Sequence, residues 1–218
     1  VTRWGDDLQF ATIGNVQPRG ICGSGLIDLL TMLLATGILD PSGRLRRAEE
    51  CPKLSDTLSR HLEEEDGHPL FRIGPDVVLT QNDIRQIQLA KSAIRTGMDL
   101  LLQETGLDPE SLDSVVIGGG FGNFLRPPSL EAIGMLPPNT AHKVAFGGNT
   151  SWQGCAKLLV SVTKRRFLEQ EAQKIRHLPI AEKSEFMDRF VQNMEFPEPD
   201  TASSFGKEEA PLSGRSAG

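Results

Sequence analysis

Between Ser114 and Asn123 the chain reads Ser-Val-Val-Ile-Gly-Gly-Gly-Phe-Gly-Asn, with four glycines, Gly118, Gly119, Gly120 and Gly122, inside five positions. Residues without a Cβ let the main chain turn sharply and let a ligand lie directly against its amides. The apolar run Val115-Val116-Ile117 ahead of them reads as a short buried strand. A strand that ends in glycines places bare backbone at the carboxyl edge of a sheet, where ligands sit in open α/β folds. The chemistry this favours is the holding of a nucleotide, with Gly118, Gly119, Gly120, Gly122 and Asn123 as its wall. A tight turn into the next helix is the other reading of the same loop, since a glycine-rich turn alone is a weak motif.

Two better-defined nucleotide loops are excluded. A dinucleotide fingerprint, Gly-x-Gly-x-x-Gly, requires glycine at its sixth position, and counting from Gly118 or Gly120 that position holds Asn123 or Leu125. The Gly-x-x-x-x-Gly-Lys-Ser/Thr of a P-loop occurs nowhere in the chain.

Two further glycine turns repeat the theme. Val144-Ala145-Phe146 reads as a strand that runs into Gly147-Gly148-Asn149-Thr150. Two successive strands with glycine turns at their carboxyl ends would build one pocket between them, adding Gly148 and Asn149 to the wall. Near the amino terminus, Gly20-Ile21-Cys22-Gly23-Ser24-Gly25 opens an apolar run from Leu26 to Leu34. Ser24 is expected to cap that helix, and Gly23, Ser24 and Gly25 form a candidate anion-binding loop at its start. The alternative is a packing point where small residues let a helix approach a strand. Lys91 and Ser92, on the helix before the central loop, are candidates to reach the same nucleotide, with ordinary helix-surface residues as the alternative.

The elements that must position these residues alternate. Leu8–Ile13 is an expected strand, and the helix from Leu26 ends at Gly37. Residues 44–70 are polar and poorly periodic, with the acidic run Glu63-Glu64-Glu65-Asp66 as a solvated face, and read as a variable surface insertion. Phe71–Ile73 and Val77–Leu79 suggest a hairpin. Thr80-Gln81-Asn82-Asp83 resembles a capping box. The helix after it carries an apolar stripe of Ile84, Ile87, Ile94, Leu101 and Leu102, with Gln88, Lys91, Ser92 and Arg95 off its centre. A short helix is expected from Pro127 through Ile133. Ser151–Val162 is an expected helix with an apolar face of Trp152, Cys155, Leu158, Leu159 and Val162. Ser184–Met194 is an amphipathic helix that docks on the body, and the chain beyond Pro197 is expected to be disordered.

Composition narrows the class. The 218 residues suffice for a real core. A net charge of −6 argues against nucleic acid as the main partner. Cys22, Cys51 and Cys155 are far apart, so no zinc or cluster ligand set is suggested and a reduced, cytoplasmic setting is expected. The four histidines have no i, i+4 partner, and no metal site is assigned. No apolar run approaches the roughly 18 residues of a membrane-spanning helix.

Taken together, five stretches resemble the carboxy-terminal part of the reductive activators of corrinoid proteins, the RACo-like family. They are Gly20 to Asp28, Thr80 to Lys91, Gly118 to Asn123, Ile133-Gly134-Met135-Leu136-Pro137, and Phe186-Met187-Asp188-Arg189-Phe190 with Phe196-Pro197. The resemblance implies an α/β fold, the ribonuclease-H-like half of an ATPase domain of the actin, sugar-kinase and chaperone (ASKHA) superfamily. It would have a helical insertion and a carboxy-terminal amphipathic helix. Residues 1–180 would form the nucleotide-binding half, 181–197 a docking helix and tail, and 198–218 a disordered end.

In this likeness Gly119 and Gly120 would lie along the sugar and phosphate side of ATP, Lys91 and Ser92 would meet the adenosine, and Gly148 and Asn149 would complete the wall. Full-length relatives are expected to carry an iron–sulfur cluster and to use ATP with Mg²⁺ to return an oxidised corrinoid protein to its Co(I) state. ATP would act by favouring one of two conformations, which requires differential affinity for them. The Asp-x-Gly-Thr turns that position Mg²⁺ in this superfamily do not occur here. The chain therefore reads as a fragment, no catalytic residue is assigned, and the Mg²⁺ ligands are expected elsewhere in the parent. The expected partner is a corrinoid protein, with a second copy of the chain as an option and neither nucleic acid nor membrane involved. Two alternatives remain: a small-molecule or acyl kinase of the same superfamily, and a non-catalytic docking or dimerisation module built on Phe186–Met194.

Overall fold

The structure is a computed structural model and describes residues 3–4, 7–120 and 124–198. The chain divides into two units, Val1–Lys91 with Met194–Gly218, and Ser92–Asn193. The expected disorder of the terminal residues falls, from position 199 on, outside the described residues.

The first unit opens with an antiparallel pair, β1 (Arg3–Trp4) and β2 (Leu8–Gln9). The strand expected over Leu8–Ile13 stops at Gln9, and Ile13–Asn15 is a 3₁₀ turn with Gly14 and Asn15 at positive φ. Next comes α1 (Gly23–Ala35). Eight consecutive residues, Ile27 to Leu34, are buried, so α1 is enclosed on all sides as an apolar helix should be. Each buried leucine contributes on the order of 1.5–3 kcal/mol, which makes α1 the centre of this unit's core.

The stretch expected to be a surface insertion joins that core. Leu45 and Leu58 are buried, the latter on the short helix α2 (Asp56–Ser59). The acidic run is indeed solvated, but it is also a strand, β3 (Leu62–Glu65), whose three glutamates face water. It pairs antiparallel with β4 (His68–Gly74), which pairs antiparallel with β5 (Val77–Thr80). The expected hairpin is thus two strands of three. Strand pairing overrides the low β-propensity of glutamate because β3 is held against β4, which with β5 is anchored by the buried Leu70, Phe71, Val77 and Leu79.

Thr80 and Asp83 form the expected capping box for α3 (Gln81–Thr105): the Asp83 carboxylate accepts from the Thr80 amide at 2.9 Å, and the Asp83 amide donates to the Thr80 hydroxyl at 3.2 Å. The face α3 buries differs from the expected one. Ile84 and Leu100 are buried, but so are Gln88, Lys91, Ser92 and Thr96, while Ile94 and Leu101 are exposed. The reason is local to each unit. In the first, Gln88 Nε2 donates to the Ser42 and Met194 carbonyls at 3.0 and 2.9 Å, and Lys91 Nζ donates to the Glu195 carbonyl at 2.5 Å. In the second, the Ser92 hydroxyl donates to the Phe190 carbonyl, and Asn193 Nδ2 donates to Thr96 Oγ1 at 3.0 Å and Asp99 Oδ2 at 3.1 Å. Polar side chains are buried cheaply where main-chain carbonyls receive them.

The second unit holds β6 (Val115–Gly118), α4 (Pro127–Ala132), β7 (Val144–Gly148), α5 (Thr150–Leu159), α6 (Val162–Ala172) and α7 (Phe186–Gln192). Strands β6 and β7 are parallel, with Val115 opposite Val144 and Ile117 opposite Phe146. The apolar run of β6 is less buried than its composition suggests, Val116 being 63% exposed. The helix expected over Ser151–Val162 is two helices. Ser161 breaks it by accepting the Lys164 amide at 3.2 Å as the cap of α6. Its expected apolar face is open as well, with Trp152 68% and Leu159 79% exposed. Among the described residues no helix is long and apolar enough to cross a membrane.

Candidate functional site

Because β6 and β7 run parallel, both glycine turns emerge at one edge, as their sequence order suggested. The two strands reach that edge out of step. A bulge after Ile117 sets Gly118 opposite Gly148, and the Gly119 amide then donates to the Gly148 carbonyl at 2.7 Å. The bulge demands backbone that other residues resist: φ is +119° at Gly119 and +63° at Gly148. Among the described residues, nothing lies within 4 Å of where a Cβ on Gly119 or Gly120 would sit.

Gly118 and Gly147 are bare for another reason. A Cβ on Gly118 would lie 2.7 Å from Thr150 Oγ1, and one on Gly147 would lie 2.8 Å from Thr150 Cγ2. Asn149, expected in the ligand wall, caps α5: its Oδ1 accepts the Trp152 amide at 3.0 Å. Gln153 Nε2 donates to the Gly147 carbonyl at 3.0 Å and ties the second turn to the same helix. Gly122 and Asn123 lie outside the described residues.

Lys91 and Ser92 are placed differently from the expectation. They are 1% and 0% exposed, and their polar ends hold the Glu195 and Phe190 carbonyls. The Lys91 ammonium also lies 4.9 Å from the centre of the Phe196 ring. In this geometry the two side chains anchor the terminal segment instead of presenting themselves to a ligand.

The loop Gly23-Ser24-Gly25 does open a helix, but its cap is Cys22 instead of Ser24. The Cys22 thiol accepts the Gly25 amide at 3.4 Å, and Ser24 Oγ lies 3.5 Å from the sulfur. The Ser24 hydroxyl, then the Gly25 amide, hold the Cys22 thiol below the usual cysteine range. Cys22 and Gly25 border a cavity of about 280 Å³ together with Phe10, Ile13, Arg19 and Ile73. Among the described residues no group of three or more His, Cys, Asp and Glu is gathered as a metal site. Sequence reasoning did not single out Cys22 or Thr150. The signal for Thr150 was available in its place directly after Gly-Gly-Asn, where a helix begins.

Comparison with known proteins sets this geometry in context. Over residues 2–205 the chain matches the family described as the C-terminal domain of RACo, the ASKHA domain. It is similar to the corrinoid activation enzyme RamQ of Eubacterium limosum, 28% identical over 197 residues, covering 87% of this chain and 33% of that protein. It is also similar to the [Co(II) methylated amine-specific corrinoid protein] reductase of Methanosarcina barkeri, 25% identical over 179 residues, covering 81% of this chain and 29% of that protein. A solved structure titled reductive activator for corrinoid,iron-sulfur protein superposes with a TM-score of 0.75 at 33% identity, covering 88% of this chain and 31% of that one. The chain therefore spans about a third of the length of the relatives it matches. A family match that runs through every described element, with a shared fold behind it, shows that the chain belongs to the family of the RACo C-terminal, ASKHA domain.

Proposed function

We propose that this chain is the adenosine-holding part of an ATP-dependent reductive activator. The parent would return an oxidised corrinoid protein to the Co(I) state with electrons from an iron–sulfur cluster elsewhere in its chain. The observation that carries the reading is the shared edge of β6 and β7. Two glycine turns end there side by side, and among the described residues no side chain crowds Gly119 or Gly120. The site fits the ribose and phosphate side of a nucleotide, because main chain without side chains lets a ligand approach it closely. The names of the relatives supply the corrinoid protein as partner.

In this reading Gly119 and Gly120 present main chain to the nucleotide, Gly148 shapes the neighbouring wall, and Asn149 and Gln153 hold that wall in place. Gly122 and Asn123, which follow in the sequence, are assigned to the same wall. The bound nucleotide supplies a difference in binding energy between two conformations of the parent. We assign the ligands of its Mg²⁺ to other parts of the parent protein. Lys91 and Ser92 act at a remove, by holding the terminal segment.

Titration calorimetry with ADP tests the reading. One wall of a two-walled site should bind weakly, with Kd between about 10 μM and 1 mM, roughly −7 to −4 kcal/mol. No turnover of ATP is expected. Absence of binding at millimolar ADP, or Mg-dependent hydrolysis by the purified chain, would each defeat it.

A further inference from the structure

We propose that Thr150 is the positioning residue of the glycine edge, a two-pronged wedge that sets the spacing of the two turns. The inference rests on the nucleotide reading for its function but stands on its own geometry. Thr150 is the first residue of α5 and is exposed to solvent, so its side chain does not fill a core. What it fills is the gap between the turns. Its hydroxyl occupies the space a side chain at Gly118 would need, and its methyl occupies the space a side chain at Gly147 would need.

Rotation of the wedge is restricted. A β-branched side chain is stiff at χ1, and the Asn149 cap and the Gln153 bond to the Gly147 carbonyl fix the start of α5. The bond from the Gly119 amide to the Gly148 carbonyl closes the same junction through the main chain. Glycine at 118 and at 147 is thus required by one residue, through two different atoms. At Gly147 the next neighbour, Val116 Cγ1, stands at 3.4 Å, so removal of the Thr150 methyl relieves that position. At Gly118 the Thr150 Cβ stands at 3.5 Å, so relief there requires removal of the hydroxyl as well as the methyl.

The two prongs give a specific rescue pattern in the 218-residue chain. ADP affinity by calorimetry and thermal melting are the two readouts. Gly118→Ala and Gly147→Ala should each weaken ADP binding by about tenfold, as an overpacked contact does. Thr150→Ala, combined with either, should recover affinity to within about threefold of Thr150→Ala alone, the mark of strong coupling. Thr150→Ser drops the methyl and keeps a hydroxyl free of β-branching, so it should rescue Gly147→Ala fully and Gly118→Ala less completely than Thr150→Ala does. Losses that add in the double variants, in affinity and in melting, overturn the proposal. Coupling in melting with additive ADP affinities also overturns it, because Thr150 would then be a structural contact alone. If the unsubstituted chain binds no ADP, the nucleotide reading fails by itself, and the melting pattern still decides whether Thr150 wedges the turns.

Discussion

Phe196 is 3% exposed, and its amide donates to the Pro41 carbonyl at 2.8 Å. Its ring receives the buried Lys91 ammonium at 4.9 Å. Phe196→Ala removes a fully packed aromatic, a change that costs about 3–5 kcal/mol. Set against the roughly 5–15 kcal/mol that holds a typical domain folded, this is a large fraction. With a urea m-value of about 2 kcal/mol/M, the midpoint should fall by about 2 M. Phe196→Leu separates the two contributions. It keeps most of the apolar volume and loses the ring's quadrupole, which near a desolvated cation is worth about 1–2 kcal/mol. The expected order of urea midpoints by circular dichroism is therefore unsubstituted, Phe196→Leu, Phe196→Ala. A Phe196→Ala midpoint within about 0.3 M of the unsubstituted chain would refute the reasoning, because a ring buried against Lys91 cannot be lost without consequence.

Deleting residues 181–218 removes Phe190, Asn193, Met194, Glu195 and Phe196, and with them the bonds that Gln88 makes to the Met194 carbonyl, Lys91 to the Glu195 carbonyl, Ser92 to the Phe190 carbonyl and Thr96 to Asn193. Gel filtration of the shortened chain should show aggregation, whereas a stable monomer replacing a dimer would identify the segment as an assembly interface instead. Cys22 is exposed and its thiol is held down by the Ser24 hydroxyl and Gly25 amide, while burial pushes the half-buried Cys51 thiol up. A lowered value means more thiolate at a given pH, so iodoacetamide at neutral pH should label Cys22 before Cys51, and Ser24→Ala should slow it. Mass mapping that finds Cys51 labelled first would contradict the cap geometry.

Local signals in this chain located the elements well. Alternation of strand, glycine turn and helix identified β6, β7 and the start of α5, and Thr80 with Asp83 marked the start of α3. These features depend on residues a few positions apart, where backbone preference and capping chemistry act directly. Periodicity failed on α3. It marked Ile94 and Leu101 as inward-facing, yet the helix buries Gln88, Lys91, Ser92 and Thr96. A hydrophobic pattern counts apolar side chains and is blind to carbonyls about a hundred residues later that accept from polar ones. The acidic strand β3 escaped notice for a related reason, since its partner β4, and not its own composition, makes it a strand.

That two strands end in glycines was legible from local composition alone. Tertiary structure decided that the strands run parallel, that a bulge sets Gly118 against Gly148, and that Thr150 fills the space at Gly118 and Gly147. It also decided that Lys91 and Ser92 turn to the terminal segment. The physical reason is that glycine's freedom is a property of one residue, whereas register, steric exclusion and the satisfaction of a buried donor depend on which distant atoms the fold brings alongside.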